Sequence, residues 1–222
     1  MVYVKTWVIG GTSGIGAAVA GMISGSVATG KEVSVCYLDK MEGFYAEHGG
    51  FDNVVYSAGV NYLMRLDDFR PNTAGYVYDV NTLGFMRLLS IVANASYSSP
   101  CRSIVAISSD AAVRPMRTSI AYCASKAALD MAVRVGAREL APAVRVNAVS
   151  PGMVEGTKMT EYIDQTVPKV RAWTPEEARA YEQSQIPMRR RATTNEVAHM
   201  VAAVLFGPEY LTGAIIPVNG GR

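Results

Sequence analysis

Seven residues near the start of the chain, Gly10-Gly11-Thr12-Ser13-Gly14-Ile15-Gly16, constrain its fold more than any other stretch. They follow a β-rich apolar run, residues 2–9, and lead into a small-residue apolar run, residues 17–29, that reads as a helix. Glycine lets the backbone turn tightly and lets another backbone or a ligand come close. Set between a strand and a helix, such a turn aims free N–H groups and the positive end of the helix dipole at one point, which is where an anion sits. The context predicts a strand–turn–helix unit that cradles the pyrophosphate of a dinucleotide.

Downstream, strand-length apolar runs alternate with helical ones. Strands are expected at residues 32–38, 53–57, 103–108, 144–149 and 214–218. Helices are expected at 73–95, 120–140, 175–185 and 195–206, with a short one around 40–48. Thr174 before Pro175 is a start signal, and Pro142 and Gly207-Pro208 are stops. Such alternation predicts a parallel sheet with helices on both faces, the doubly wound, Rossmann-like α/β class. At 222 residues, with no internal repeat or linker, the chain is expected to form one domain over 1–222, with residues 153–190 as a lid within it.

Tyr122 and Lys126 stand four apart within 120–140, one turn apart on one helix face. A neighbouring ammonium favours phenolate over phenol, so the Tyr122 pKa is expected to fall toward working pH. A tyrosine tuned that way exchanges a proton with a substrate oxygen.

Together these motifs resemble the short-chain dehydrogenase/reductase family, in its single-domain Rossmann-type branch. The family's G-x-x-x-G-x-G falls on Gly10, Gly14 and Gly16, and its Asn-Ala-Gly on Ser57-Ala58-Gly59. Asn81 lies in Val80-Asn81-Thr82-Leu83-Gly84, and Ser109 ends Ile107-Ser108-Ser109, thirteen residues before Tyr122; that spacing prefers Ser109 to Ser108. The stretch Arg145-Val146-Asn147-Ala148-Val149-Ser150-Pro151-Gly152 matches the segment that closes over the nicotinamide, followed by Val154 and, after one inserted Gly156, by Thr157. The resemblance implies that Tyr122 is the acid/base, that Lys126 tunes it and binds the nicotinamide ribose, and that Ser109 holds the reacting oxygen. It implies that Asn81 holds a water linking Lys126 to solvent. It also places Gly10, Thr12, Ser13, Gly14, Ile15, Gly16, Ser57, Ala58, Gly59, Pro151, Gly152, Val154 and Thr157 around a nicotinamide dinucleotide, with the hydride coming from that cofactor. Finally it implies a homo-oligomer, a tetramer or dimer, built on helices 73–95 and 120–140 and the last strand.

The chain departs from the family at several points. Ile9 and Ser57 stand where the family has threonine and asparagine. The acidic slot that selects NAD falls on Tyr37, with Asp39 two residues later, so NAD is favoured over NADP through Asp39. Only twelve residues separate Asp39 from Asp52, whereas a βαβ crossover needs about 30. The third strand is therefore expected to be missing, leaving six strands, a shallow adenine pocket and weak cofactor binding.

The remaining features bound the function. A net charge of +2 argues against a nucleic-acid partner, and Arg189-Arg190-Arg191 reads as a solvated loop rather than a phosphate patch. Three cysteines without metal-ligand spacing read as reduced thiols in a cytoplasmic protein, and no metal site is expected. No signal-peptide pattern or membrane-length apolar run is present in the sequence. Met153, Met159, Tyr162, Ile163, Trp173, Tyr181 and Met188 make the expected lid apolar, pointing to a mainly apolar alcohol or ketone as the small-molecule substrate. The expectation is an NAD(P)-dependent oxidoreductase. A noncatalytic binding module and an isomerase or dehydratase built on the same residues are the alternatives.

Overall fold

The computed structural model describes residues 4–95 and 101–222. Its strands are β1 (Thr6–Ile9), β2 (Ser26–Thr29), β3 (Asn53–Tyr56), β4 (Ser103–Ile107), β5 (Arg145–Pro151) and β6 (Ile215–Val218). They form one parallel sheet in the order β2-β1-β3-β4-β5-β6. The helices are α1 (Gly14–Met22), α2 (Leu38–Glu47), α3 (Pro71–Tyr78), α4 (Gly84–Ala95), α5 (Ile120–Leu140), α6 (Lys158–Arg171), α7 (Pro175–Ser184) and α8 (Thr194–Leu205). A π turn over Asp79–Leu83 joins α3 to α4.

The doubly wound, Rossmann-like class and the six-strand sheet are as the sequence predicts. β1, β3 and β4 are buried along their whole length, as apolar strands covered on both faces must be. Val8, Val55, Val105 and Val149 face α1 and α8 through Val19, Val197 and Val201. On the other face Trp7, Val54, Tyr56, Ile104 and Val146 meet α2, α4 and α5 through Met41, Phe85, Leu88, Leu129 and Val133.

Residues 17–38 differ from the expectation. α1 stops at Met22, and residues 26–29, expected as helix, form β2. Residues 32–38, expected as a strand, are a loop running into α2. The alternation that reads as a strand is real, since Val33 and Val35 are buried while Lys31, Glu32 and Tyr37 are exposed. Those valines plug the core next to Tyr56 and Phe85 instead of pairing in the sheet. Arg87 fixes the loop, donating to the Val35 carbonyl at 3.0 Å while ion-paired to Asp79 at 2.7 Å. Gly84 makes room for it: a Cβ there would collide with the Tyr56 hydroxyl and lie 2.9 Å from the Val35 Cβ. The missing unit thus falls between Thr29 and Leu38, not between Asp39 and Asp52. α2 occupies the latter interval, so no strand lies within residues 40–51.

The other elements sit close to expectation. The start of the first expected strand, residues 2 and 3, lies outside the described residues. α5 spans Ile120–Leu140, and Thr174 caps α7 in a full capping box with Glu177. α6 is not foreseen from the sequence. Its apolar residues Met159, Tyr162, Ile163, Val167 and Val170 recur at helical spacing, but Pro168 within the run reads as a helix breaker.

Candidate active site

The carboxyl ends of the strands open into one cleft of about 750 Å³. This is the edge where open α/β sheets bind ligands. At one end lies the glycine turn. Gly10 takes a positive φ of 77°, and a Cβ there would lie 2.7 Å from the Ala58 N, so β1 and β3 can approach only through glycine. The Gly10 and Gly11 N–H groups bond the Thr29 carbonyl, at 2.8 and 2.9 Å, which ties the turn to the end of β2. α1 begins at Gly14, and the Thr157 methyl carbon sits 3.5 Å from where a Gly14 Cβ would be. Thr157 also caps α6, its hydroxyl accepting from the Thr160 N–H at 3.1 Å.

Ser109, Tyr122 and Lys126 line the middle of the same cleft. Ser109 caps a short 3₁₀ turn, accepting from the Ala111 N–H at 3.2 Å, and its hydroxyl is also paired with the Tyr122 phenol. The Ser108 hydroxyl is bonded to the Asp130 carboxylate instead. Lys126 is buried, and its Nζ donates to the Ile107 carbonyl at 2.7 Å, 5.8 Å from the Tyr122 ring centroid. Asn81 sits in the π turn, fully buried. Its Oδ1 accepts from the Val60 N–H at 2.8 Å, and its Nδ2 donates to the Val60 carbonyl at 2.9 Å and to Ser125 Oγ at 3.0 Å. π turns recur at functional sites, and this one aims Asn81 into the strand end. Asn81 Oδ1 and Lys126 Nζ each lie 3.6 Å from where a Gly59 Cβ would stand.

Burial, not the ammonium, sets the titration of the pair. It pushes the Tyr122 phenol up to about 12, against the pull of its Ser109 hydrogen bond, and draws the Lys126 ammonium down to about 8, with Asp130 resisting. The expected fall of the Tyr122 pKa is therefore reversed in this structure. The phenol stays protonated at neutral pH.

Of the expected cofactor residues, Gly10, Thr12, Ser13, Gly14, Ile15, Ser57, Ala58, Gly59, Pro151, Gly152, Val154 and Thr157 line the cleft. Gly16 lies behind the turn, where a Cβ would run into the Gly10 carbonyl. Asp39 is misplaced by the sequence reading. It lies in the first turn of α2, exposed and away from the cleft, because β2 ends ten residues before it. The carboxylate near the end of β2 is that of Glu32, which accepts from the Gly30 N–H. A Cβ on Gly30 would lie 2.8 Å from Thr12 Oγ1 and 2.9 Å from Glu32 Oε2. Sequence reasoning also missed Asn61, Asp110, Asp130 and Lys158. Only Asp130 carried a signal, as the next step of the Tyr122, Lys126 spacing. Two arginines of the run are ion-paired: Arg190 with Glu196, and Arg191 with both Asp164 on α6 and Glu182 on α7.

A family model described as enoyl-(acyl carrier protein) reductase matches residues 38–222. L-xylulose reductase of Caenorhabditis elegans is 31% identical over 177 residues, covering 78% of this chain and 66% of that protein. The chain belongs to the short-chain dehydrogenase/reductase family. A 3-oxoacyl-[acyl-carrier-protein] reductase of Thermotoga maritima is 30% identical over 177 residues, 79% of this chain and 67% of its own. The matched stretch thus spans about two thirds of the length of these curated relatives. A solved short chain dehydrogenase family protein from Francisella tularensis superposes with a TM-score of 0.86 at 23% identity, covering 99% of this chain and 98% of that one. That match covers the whole fold, whereas the family model begins only at α2. Among the described residues no helix is long and apolar enough to cross a membrane.

Proposed function

We propose that the protein is a nicotinamide-dependent oxidoreductase that interconverts a small alcohol and its ketone. The observation that carries this reading is the sharing of one cleft by the glycine turn, Ser109, Tyr122 and Lys126. The residues present fit a dinucleotide: Gly10 and Gly14 leave open backbone before α1, and Gly59 leaves space beside Lys126 that a side chain would fill. The N–H groups at the start of α1 and Thr157 would hold the pyrophosphate, and Lys126 and Ser57–Gly59 the nicotinamide ribose. When bound, the nicotinamide supplies or accepts the hydride.

The chain's own residues handle the proton. Ser109 donates to the substrate oxygen and holds it beside Tyr122. Tyr122, protonated at neutral pH, delivers its proton to that oxygen as a ketone is reduced, and takes it back in oxidation. Lys126, one turn along, stabilises the phenolate left behind. Asn81 fixes Val60 and Ser125 around that ammonium, with its oxygen and both amide hydrogens committed to them. The substrate lies under α6 as a lid, with Met116, Met153, Met159 and Ile163 as its apolar lining, while α7 contributes no residue to the cleft.

NAD is favoured over NADP, now through Glu32. It stands 22 residues after Gly10, close to the spacing of a ribose-binding acid, and its charge opposes an added phosphate. Lys31, which lines the cleft where Glu32 does not, keeps that preference small. The protein assembles with copies of itself through α4, the π turn before it and α5, whose Met86, Leu83, Met131 and Val135 are exposed at 42%, 43%, 57% and 46%. Its thiols, none joined in a disulfide among the described residues, suit the cytoplasm.

The test is absorbance at 340 nm with NADH or NADPH across a panel of small ketones, for the wild type and Tyr122→Phe. Turnover lost in the variant is the expected result. The binding-module alternative predicts no turnover from either protein.

A further inference from the structure

Ser109 has one hydroxyl hydrogen to give, and two acceptors stand ready for it. A hydroxyl donates once and accepts through two lone pairs. Ser109 already accepts the Ala111 N–H at 3.2 Å, and its single hydrogen can serve only one strong acceptor. The substrate oxygen is the first. The next residue, Asp110, is the second: a buried carboxylate, and so a stronger acceptor than a ketone. Left unbalanced, it would keep the serine hydrogen and turn the hydroxyl away from the reacting carbon.

The balance comes from beyond β6. There the chain turns at Gly220 and Gly221, both at positive φ, against Ile186 and Pro187. Asn219 closes the turn, its Nδ2 donating to the Arg222 carbonyl at 2.8 Å and its Oδ1 accepting from the Gly221 N–H at 3.2 Å. The turn brings Arg222 Nη1 to 3.4 Å from Asp110 Oδ2, with side chains 17% and 2% exposed, so the pair is little screened. Burial lifts the Asp110 carboxyl above its usual range, and Arg222, Arg114, the Ala111 N–H and the Ser109 hydroxyl pull against that. Arg114 is exposed to water and counts for less than Arg222. With Arg222 in place, none of these donors closes to a short hydrogen bond on the carboxylate. On α5, Asp110 faces Tyr122 and Cys123, and its charge disfavours ionisation of both.

We infer that Arg222, acting through Asp110, is a positioning residue for the reaction: it balances the carboxylate and so leaves the Ser109 hydrogen free for the substrate oxygen. This rests on the oxidoreductase reading and adds to it a residue that touches neither substrate nor cofactor.

Steady-state reduction of the panel ketone that the wild type turns over fastest, followed from pH 5.5 to pH 8.5, tests it. Arg222→Met should lower kcat at least about tenfold at pH 8.5, as loss of a donor to the reacting oxygen does. The loss should shrink as pH falls, because Asp110 without Arg222 takes up its proton at a higher pH and then releases the serine hydrogen. Arg222→Lys, which keeps the charge, should recover most of the turnover, and so should Asp110→Asn added to Arg222→Met. An arginine that only anchors its own turn would give a loss equal at every pH and unrelieved by Asp110→Asn. That result overturns the inference and leaves the oxidoreductase reading standing. If even the wild type reduces no ketone, that reading has failed, and ¹⁹F NMR of protein labelled with 3-fluorotyrosine decides without turnover. The Tyr122 resonance is assigned by its loss in Tyr122→Phe. In Arg222→Met it should shift in a step, at higher pH than in the wild type, that an added Ser109→Ala removes; this supports the inference. No such step, or one that survives Ser109→Ala, overturns it.

Discussion

The two ends of the cleft were built under different constraints. At the catalytic end, β3, β4, α5 and β5 are central elements, and each functional side chain is buried and hydrogen-bonded. At the nucleotide end, β2 is an edge strand of four residues with Ala28 exposed, followed by a loop in which Lys31 and Glu32 face solvent. The family model begins at residue 38 and so takes in most of the catalytic end but neither the glycine turn nor this loop. An edge strand can be lost because no other strand depends on it, and the exposed core is then closed by something smaller. Here Val33 and Val35, under the clamp of Arg87, do that while lining the cleft. The expected loss of one adenine wall is thereby partly made good, but the wall is a loop, without a strand behind it.

Substitutions at the two ends should separate into effects on turnover and effects on cofactor binding. The largest effect is expected from Tyr122→Phe. Removal of the transferable proton should lower kcat by about 1,000-fold while the cofactor Kd moves less than about threefold, as read by steady-state kinetics and titration. A Kd shift as large as the kcat loss would mean that the ends are not separable.

Lys126 gives the next effect, in stability. Its folded pKa of about 8 lies below the unfolded value of 10.5, so between these values the unfolded chain binds more protons. Stability therefore rises with pH across that window, as the cost of burying the ammonium is relieved. Urea unfolding at pH 7 and pH 10 should show the wild type gaining on Lys126→Met by up to about 3 kcal/mol. No change in that difference would mean that the ammonium is not desolvated.

Gly84→Ala ought to bridge the two ends. Its methyl group would press on Tyr56 and Val35, costing about 2 kcal/mol by overpacking and loosening the loop, with a weaker cofactor Kd and little change in kcat. Unchanged thermal stability would count against the plug. Glu32→Gln should have the smallest effect, moving the NAD-to-NADP preference toward NADP by less than about tenfold, well under 1.4 kcal/mol. No shift in the ratio of the two Kd values would remove Glu32 from the site.

The same division governs what the sequence reveals. α5 is legible because its apolar spacing is buried as the period demands, with Leu129, Ala132 and Val133 inside and Met131 and Val135 outside. The glycine turn is legible because close backbone approach admits no other residue type. β2 is not, since Ser26-Val27-Ala28-Thr29 is only partly buried and owes its state to backbone bonds with β1. Val33 and Val35 mislead for the opposite reason: alternation reports which side chains are buried, not whether the backbone pairs. That error shifted the acidic slot from Glu32 to Asp39. The reversed Tyr122 pKa has a similar origin, because spacing places a charge nearby but says nothing about how dry the site is. Asn61 and Asp110 have no periodic signal at all, and only the fold brings them to the wall of the cleft.

Affinities for NADH and for its nicotinamide half, reduced nicotinamide mononucleotide, test the contrast between the ends most directly. Both can be measured by calorimetry on the wild-type protein. If the nucleotide end is only a trimmed edge, the adenosine half adds little, and NADH should bind within about tenfold of the mononucleotide, a difference of about 1.4 kcal/mol. NADH binding about 1,000-fold tighter would show a fully formed adenosine site and contradict the account.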